Sequence, residues 1–223
     1  MVRKSNGRSI REPSPRARRR DDRRDAILRA AARMFQHRGF GETGMRDIAV
    51  AADLSPSNLY HYFRGKDEIL FYCQDRALDA MLATVRDARR AASRIDDCLH
   101  RVLTGHLRTM LDQVAGAAAH LQVESISPAL RGRIVRKRDR YERGLRRIIE
   151  DGVKTGELVA GDPAVITRAM LGALNWTVTW FRPDGAQSAD QVAETMVRFL
   201  VRGVASRRAE TKPGLVSANG GKP

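Results

Sequence analysis

Apolar residues recur at three- and four-residue intervals through most of the chain, and no segment alternates with a period of two, so the pattern predicts an all-α protein. From Asp25 the residues Ile27, Leu28, Ala31 and Phe35 mark a first helix, with Asp21 or Asp22 as its cap and Gly39 as its end. Beyond the Gly39-Phe40-Gly41 break, Met45 to Ala52 forms a short second helix with Ile48 and Ala49 facing inward, and Asp53-Leu54 makes a brief turn. Ser55 then caps a third helix running to Phe63, with Pro56 at the first helical position, where its missing N–H costs nothing. Leu59 and Phe63, one turn apart, form its core side, and Arg64-Gly65-Lys66 closes it.

A long amphipathic stretch from about Asp67 to Arg90 follows, carried by Ile69, Leu70, Cys73, Leu78, Met81, Leu82 and Val85. Further helices are expected from Ile95 to Val114, around Leu121 to Ile126, and from Pro128 through Ile149, the last weakened at Gly152 and Gly156. Asp162-Pro163 starts another that continues to Phe181 before Pro183-Asp184-Gly185 turns the chain. Ser188 and Gln191 form a capping box for a final helix ending near Gly203. The expected organisation is a three-helix unit over residues 21–66 and a larger helical domain over residues 67–204, opened by a connecting helix at 67–91.

Composition adds a strong basic balance, +15 at neutral pH over 223 residues, which suggests a nucleic-acid partner. Its location changes that picture. Residues 1–20 hold eight Arg or Lys against Glu12, and residues 202–223 hold five against Glu210, which leaves a net excess of only four between them. Both ends are rich in Arg, Ser, Pro and Gly and poor in apolar residues, so residues 1–20 and 205–223 read as a disordered basic arm and a disordered tail. The arm has two readings: a strand lying in a DNA minor groove, or a solubilising tail.

A short helix, a tight turn and a capped second helix make a helix-turn-helix, whose second helix enters the major groove of double-stranded DNA. With Leu59 and Phe63 packed inward, Ser57, Asn58, Tyr60, His61 and Tyr62 occupy the other sides. Asn58 is the strongest candidate base reader, because its amide matches adenine bidentately. Ser57 and His61 suit base edges or phosphates, and Tyr60 and Tyr62 suit phosphate oxygens. Lys66 is a candidate phosphate clamp, and Arg46 on the preceding helix reaches the DNA backbone or a base.

Ile27-Leu28, Ala30-Ala31, Phe35, Gly39-Phe40, Met45-Arg46-Asp47-Ile48-Ala49, Leu54-Ser55, Leu59-Tyr60, Tyr62-Phe63 and Lys66-Asp67-Glu68 together resemble the N-terminal domain of the TetR family over about 45 residues. The resemblance implies a homodimeric regulator of about nine helices, released from a palindromic operator by a small-molecule effector, with repression as the default sign. The family often has Ser or Thr where Gly44 stands, capping the second helix and touching phosphate; here Thr43 is the candidate substitute.

In the larger domain, the segment from Asn175 to Gly185 resembles a tryptophan-containing stretch of TetR-type regulators of lipid and steroid degradation, many of which respond to acyl-CoA thioesters. Trp176 and Trp180 share a helix face and are candidate ligand contacts, with core or dimer packing as the other reading. The last two helices form the dimer bundle in that family, and Val192, Met196, Phe199 and Leu200 supply an apolar stripe for it. Nine basic residues between Arg131 and Arg147 suit either the phosphates of a CoA-type ligand or simple solvation.

Several classes are not expected. His100, His106 and His120 do not share a helix face, and Cys73 and Cys98 lack ligand spacing, so neither a metal nor a cofactor is anticipated. No phosphate-cradling glycine loop or nucleophile elbow points to an enzyme, and Asp96-Asp97 and Glu150-Asp151 fall at predicted helix ends. No apolar run is long enough for a membrane span or a secretory signal, so the expected location is the cytoplasm. A nonspecific nucleoid-type DNA-binding protein is the alternative that the basic ends would favour.

Overall fold

A computed structural model describes residues 14–111 and 123–206. Helix α1 (Pro15–Glu42) starts earlier than the hydrophobic pattern indicates, because Ser14 accepts from the Ala17 N–H and Pro15 supplies a preset φ. Residues 15–20 of the expected disordered arm are therefore helical. Gly39 breaks the regular path as expected, at φ 82°. The Phe35 and Phe40 rings, 5.1 Å apart, pack across the break.

Helix α2 (Met45–Ala51) opens with the Asp47 carboxylate accepting from the Gly44 N–H at 2.8 Å. That contact is the half of a capping box made by the third helical residue; glycine, lacking a hydroxyl, accepts from none of the first-turn N–H groups. The turn that follows holds Asp53 at φ 53°, a left-handed position that short polar side chains tolerate. The guanidinium of Arg23 on α1 donates to the Asp53 carbonyl at 2.9 Å, fixing the turn to the first helix. Helix α3 (Pro56–Tyr60) is capped by Ser55, which accepts from the Asn58 N–H, and its last turn continues through the Phe63 N–H to the Leu59 carbonyl. Leu59 and Phe63 are fully buried in the core, as their spacing predicts, with Phe63 edge-on to Tyr72.

Helix α4 (Lys66–Ala91) connects this unit to the rest and packs on α5 (Ile95–Leu111) and α6 (Pro128–Thr155). The expected end of α5 at Val114 and the start of the helix around Leu121 lie outside the described residues; its remainder is a single 3-10 turn at Val123–Ser125. Helix α6 packs on α7 (Pro163–Trp180), and α5 packs on α8 (Ala189–Val204). Gly152 does not weaken α6. A Cβ there would meet Leu158 and Ile95 side-chain atoms at 2.6–2.7 Å, so the glycine lets those two residues close on the helix. Gly156, at φ 74°, is what ends it. The end of α8 is tied back by the Val159 N–H donating to the Val204 carbonyl at 2.8 Å. Among the described residues every named element is thus helical, and the α1–α3 unit and the α4–α8 bundle share one continuous core along α4. No described helix is long and apolar enough to cross a membrane.

Candidate nucleic-acid interface and core cavity

Burial of Leu59 and Phe63 forces the remaining side chains of the third helix outward. Ser57, Asn58, Tyr60 and His61 are exposed, Tyr62 is half-buried, and Arg46 is exposed on α2. Arg20 of α1 joins Leu54, Asn58, His61 and Tyr62 around one shallow cleft, so the helical extension of α1 lines the same surface as the third helix. Arg24, one turn further along, stacks on Phe63 and Tyr72, with its guanidinium carbon 4.9 and 4.6 Å from the ring centres. The hydrophobic pattern begins at Ile27 and is silent on both arginines; the serine-proline helix start at Ser14-Pro15 was the available signal.

Two expected phosphate contacts are used internally. Thr43 is fully buried, and its hydroxyl donates to the Gly39 carbonyl at 2.7 Å, because the break at Gly39 leaves that carbonyl without a helical partner. The Lys66 ammonium donates to the carbonyls of Phe40, Gly41 and Thr43 at 2.9–3.1 Å and lies over the Phe40 ring. Its charge meets the negative end of α1.

In the bundle, a cavity of about 200 Å³ opens between α4, α5, α6 and α7. Leu78, Met81 and Leu171 form its apolar wall, and His106, Tyr141, Asn175 and Arg138 its polar end. His106 Nε2 lies 3.2 Å from Asn175 Oδ1 and its Nδ1 lies 3.0 Å from the Tyr141 hydroxyl. Since a carbonyl oxygen only accepts, Nε2 carries the proton, and the Tyr141 hydroxyl donates to Nδ1. Burial pushes the His106 pKa down to about 4, so the ring is neutral at physiological pH, and burial likewise pushes the Tyr141 hydroxyl up. Arg138 donates to Gln74 Oε1 at 3.3 Å, and its burial lowers the guanidinium pKa without removing the charge. His106 sits on the same apolar face of α5 as Val102, Leu103 and Met110; a polar residue on that stripe was the sequence signal for this site.

Part of the arginine-rich face of α6 is paired. Asp75 of α4 meets Arg133 at 2.9 Å and Lys137 at 2.6 Å, and Lys137 also reaches Asp79 at 2.6 Å. Neither tryptophan lines the cavity. Trp176 and Trp180 are 66% and 46% exposed on the outer side of α7, one position round the helix from the inward Asn175 and from the core. Of the apolar stripe on α8, Phe199 is 76% exposed, whereas Val192 is buried against Leu111 and Phe181 of the same chain. Met196 and Leu200 are partly buried against the protein's own core, with the Met196 sulfur accepting from the Thr177 hydroxyl. Helix α8 thus turns Val192, and in part Met196 and Leu200, onto the protein's own core and leaves Phe199 outside.

A capped helix carrying outward polar residues, locked by two buried anchors onto a preceding short helix and turn, defines a helix-turn-helix DNA-binding protein. Residues 27–73 match the bacterial regulatory proteins of the tetR family, and residues 92–204 match the tetracyclin repressor-like C-terminal domain. The chain belongs to the TetR family. The HTH-type transcriptional repressor KstR2 of Rhodococcus jostii (strain RHA1) is 27% identical over 193 residues, spanning 82% of this chain and 92% of that one. The crystal structure of the TetR family regulator PfmR from Thermus thermophilus is 34% identical and superposes with a TM-score of 0.72 over 79% of this chain and 97% of its own. AibR, solved in complex with isovaleryl coenzyme A and operator DNA, shares the fold at 24% identity and a TM-score of 0.68, over 80% of this chain and 98% of its own.

Proposed function

We propose that this protein is a homodimeric transcriptional repressor that binds a palindromic operator and leaves it when a small molecule, an acyl-CoA thioester or related lipid metabolite, occupies the cavity of the α4–α8 bundle. The observation that carries this reading is the outward set Ser57, Asn58, Tyr60 and His61 on a helix anchored by Leu59 and Phe63, in a chain of the TetR family. Residues 21–66 act as the DNA-binding unit and residues 67–204 as the effector and dimerisation unit, in the cytoplasm. Asn58 reads a base, Ser57 and His61 touch base edges or phosphates, and Arg46, Tyr60 and Tyr62 hold the backbone.

The dimer is built on the exposed side of α7, where Val165, Ala169, Gly172, Trp176 and Trp180 follow one another at helical spacing, together with Phe199 of α8. It sets the two reading helices roughly 34 to 36 Å apart, one helical repeat of DNA. The cavity touches both α4, which leads to the DNA-binding unit, and α7, which carries the dimer face. A ligand that binds one spacing of the reading heads better than the other shifts the dimer toward it.

The test begins with selection of a preferred sequence from random duplexes. Asn58→Ala weakens binding to that sequence by roughly 1–3 kcal/mol while leaving affinity for unrelated DNA nearly as it was. Trp176→Arg yields monomers in sedimentation and loses the palindrome preference. Binding that shows no sequence preference at moderate salt overturns the proposal.

A further inference from the structure

The polar end of the bundle cavity has a definite hydrogen-bonding sense. With His106 Nε2–H donating to Asn175 Oδ1, the Asn175 amide nitrogen is left as a donor, and the Tyr141 hydroxyl hydrogen is committed to His106 Nδ1. Arg138 adds a guanidinium, which only donates. Of the groups able to meet a ligand here, Arg138 and the Asn175 amide nitrogen offer hydrogens and positive charge, the Tyr141 oxygen keeps only acceptor lone pairs, and Leu78, Met81 and Leu171 offer hydrocarbon contact. Neutral His106 does not compete for an anion; it holds Tyr141 and Asn175 in place.

Size narrows the ligand further. A cavity of about 200 Å³ has room for a small organic group. That is enough for a short acyl chain and its oxygen-bearing end.

We infer that the cavity is the specificity site for a short acyl group, whose carboxylate or thioester carbonyl oxygen is bound by Arg138 and the Asn175 amide and whose chain lies on Leu78, Met81 and Leu171. The inference rests on the effector reading above and names the chemistry of the bound end. The two oxygen sources, a free carboxylate and a thioester, share this end; only the thioester requires room for its bulky thiol portion outside the cavity. Asn175 and Tyr141 are held by His106, so His106 is a positioning residue, and Arg138 and Asn175 are the binding residues.

Titration calorimetry on the full chain without DNA tests this with pentanoate, pentanoyl-CoA, 1-pentanol and palmitate. Saturable binding of pentanoate or pentanoyl-CoA, at least tenfold tighter than that of 1-pentanol and palmitate, is expected; which of the two binds identifies the source. Arg138→Met, which keeps the aliphatic stem, and Asn175→Leu each weaken that binding roughly tenfold or more. If Arg138→Met does not fold, Arg138→Lys keeps the charge, loses the fork and still weakens binding. Equal binding of acid and alcohol, wild-type affinity in the Arg138 and Asn175 variants, or no binding by either acyl compound overturns the inference. Because DNA is absent from the measurement, a protein that binds pentanoate yet stays on its selected duplex refutes ligand-released repression and leaves this site assignment standing.

Discussion

The guanidinium of Arg133 lies 5.4 Å from the ring centre of Phe71, and through that contact the bundle reaches the aromatic cluster beneath the reading helix. Phe71 meets Tyr72 edge-on, Tyr72 meets Phe63, and Arg24 of α1 covers both Tyr72 and Phe63. Arg133 is also held by Asp75, next to the Gln74 that pairs with the cavity residue Arg138. Helix α4 is therefore joined on one side to the cavity and on the other to the third helix by packed, hydrogen-bonded side chains.

Asp75→Ala tests the ionic part of this connection. The Asp75 and Lys137 side chains are only 10% and 14% exposed, so removing the carboxylate leaves a poorly solvated ammonium. Asp79 still pairs with it, which places the expected loss at the lower end of the roughly 3–5 kcal/mol typical of a broken buried pair. Urea unfolding of the variant against the parent measures it.

Lys66→Met distinguishes a structural lysine from a phosphate clamp. Removing the donor to three carbonyls lowers stability by about 1–3 kcal/mol, since charged hydrogen bonds at a helix end are replaced by nothing. The salt dependence of DNA binding keeps its slope. A slope reduced by about one unit per subunit would instead place the ammonium on phosphate.

The helical start of α1 makes a different prediction from an extended arm. Arg16, Arg19 and Arg20 lie on a helix that reaches the cleft beside Asn58 and His61, so their replacement by Ala weakens binding to all sequences alike. The logarithmic salt slope falls by about 0.9 for each phosphate that is no longer neutralised. An unchanged slope, read by fluorescence anisotropy across a salt series, would assign the extension no role on DNA.

His106 imposes a pH dependence on stability. Its pKa is about 4 in the folded protein against an ordinary 6.5, so below neutrality the unfolded chain takes up a proton that the folded chain refuses. The stability contributed by the neutral ring is complete above pH 6.5 and is lost as the pH falls toward 4, to the extent of about 3 kcal/mol in total. In His106→Gln the drop between pH 7.5 and 5 is smaller by most of that amount. Denaturant midpoints at the two pH values give the comparison.

Much of the helical layout was legible because its signals are local. Ser55-Pro56, Asp162-Pro163 and the Ser188 to Gln191 box each satisfy helix-end N–H groups within three residues of themselves, and the starts of the third, seventh and eighth helices fall at those signals. The Leu59 to Phe63 spacing likewise decides which side of the third helix turns inward, and with it that Asn58 and His61 turn outward. The early start of α1 was missed because Arg16 to Arg20 contain no apolar period, and a helix there is supported by its cap and by continuity with Ile27 onward.

What sequence by itself determined, then, was the helix order, the major caps and the outward face of the reading helix, all of which depend on residues close together along the chain. Tertiary structure alone decided the partners. Lys66 meets three carbonyls because the Gly39 break, far earlier in the chain, brings the end of α1 beneath it. Val192 packs on Leu111, and Asn175, not its neighbour Trp176, turns into the cavity toward His106. A lysine, a valine or an asparagine meets the demands of several surroundings equally well; which surrounding it meets is set by how distant helices pack.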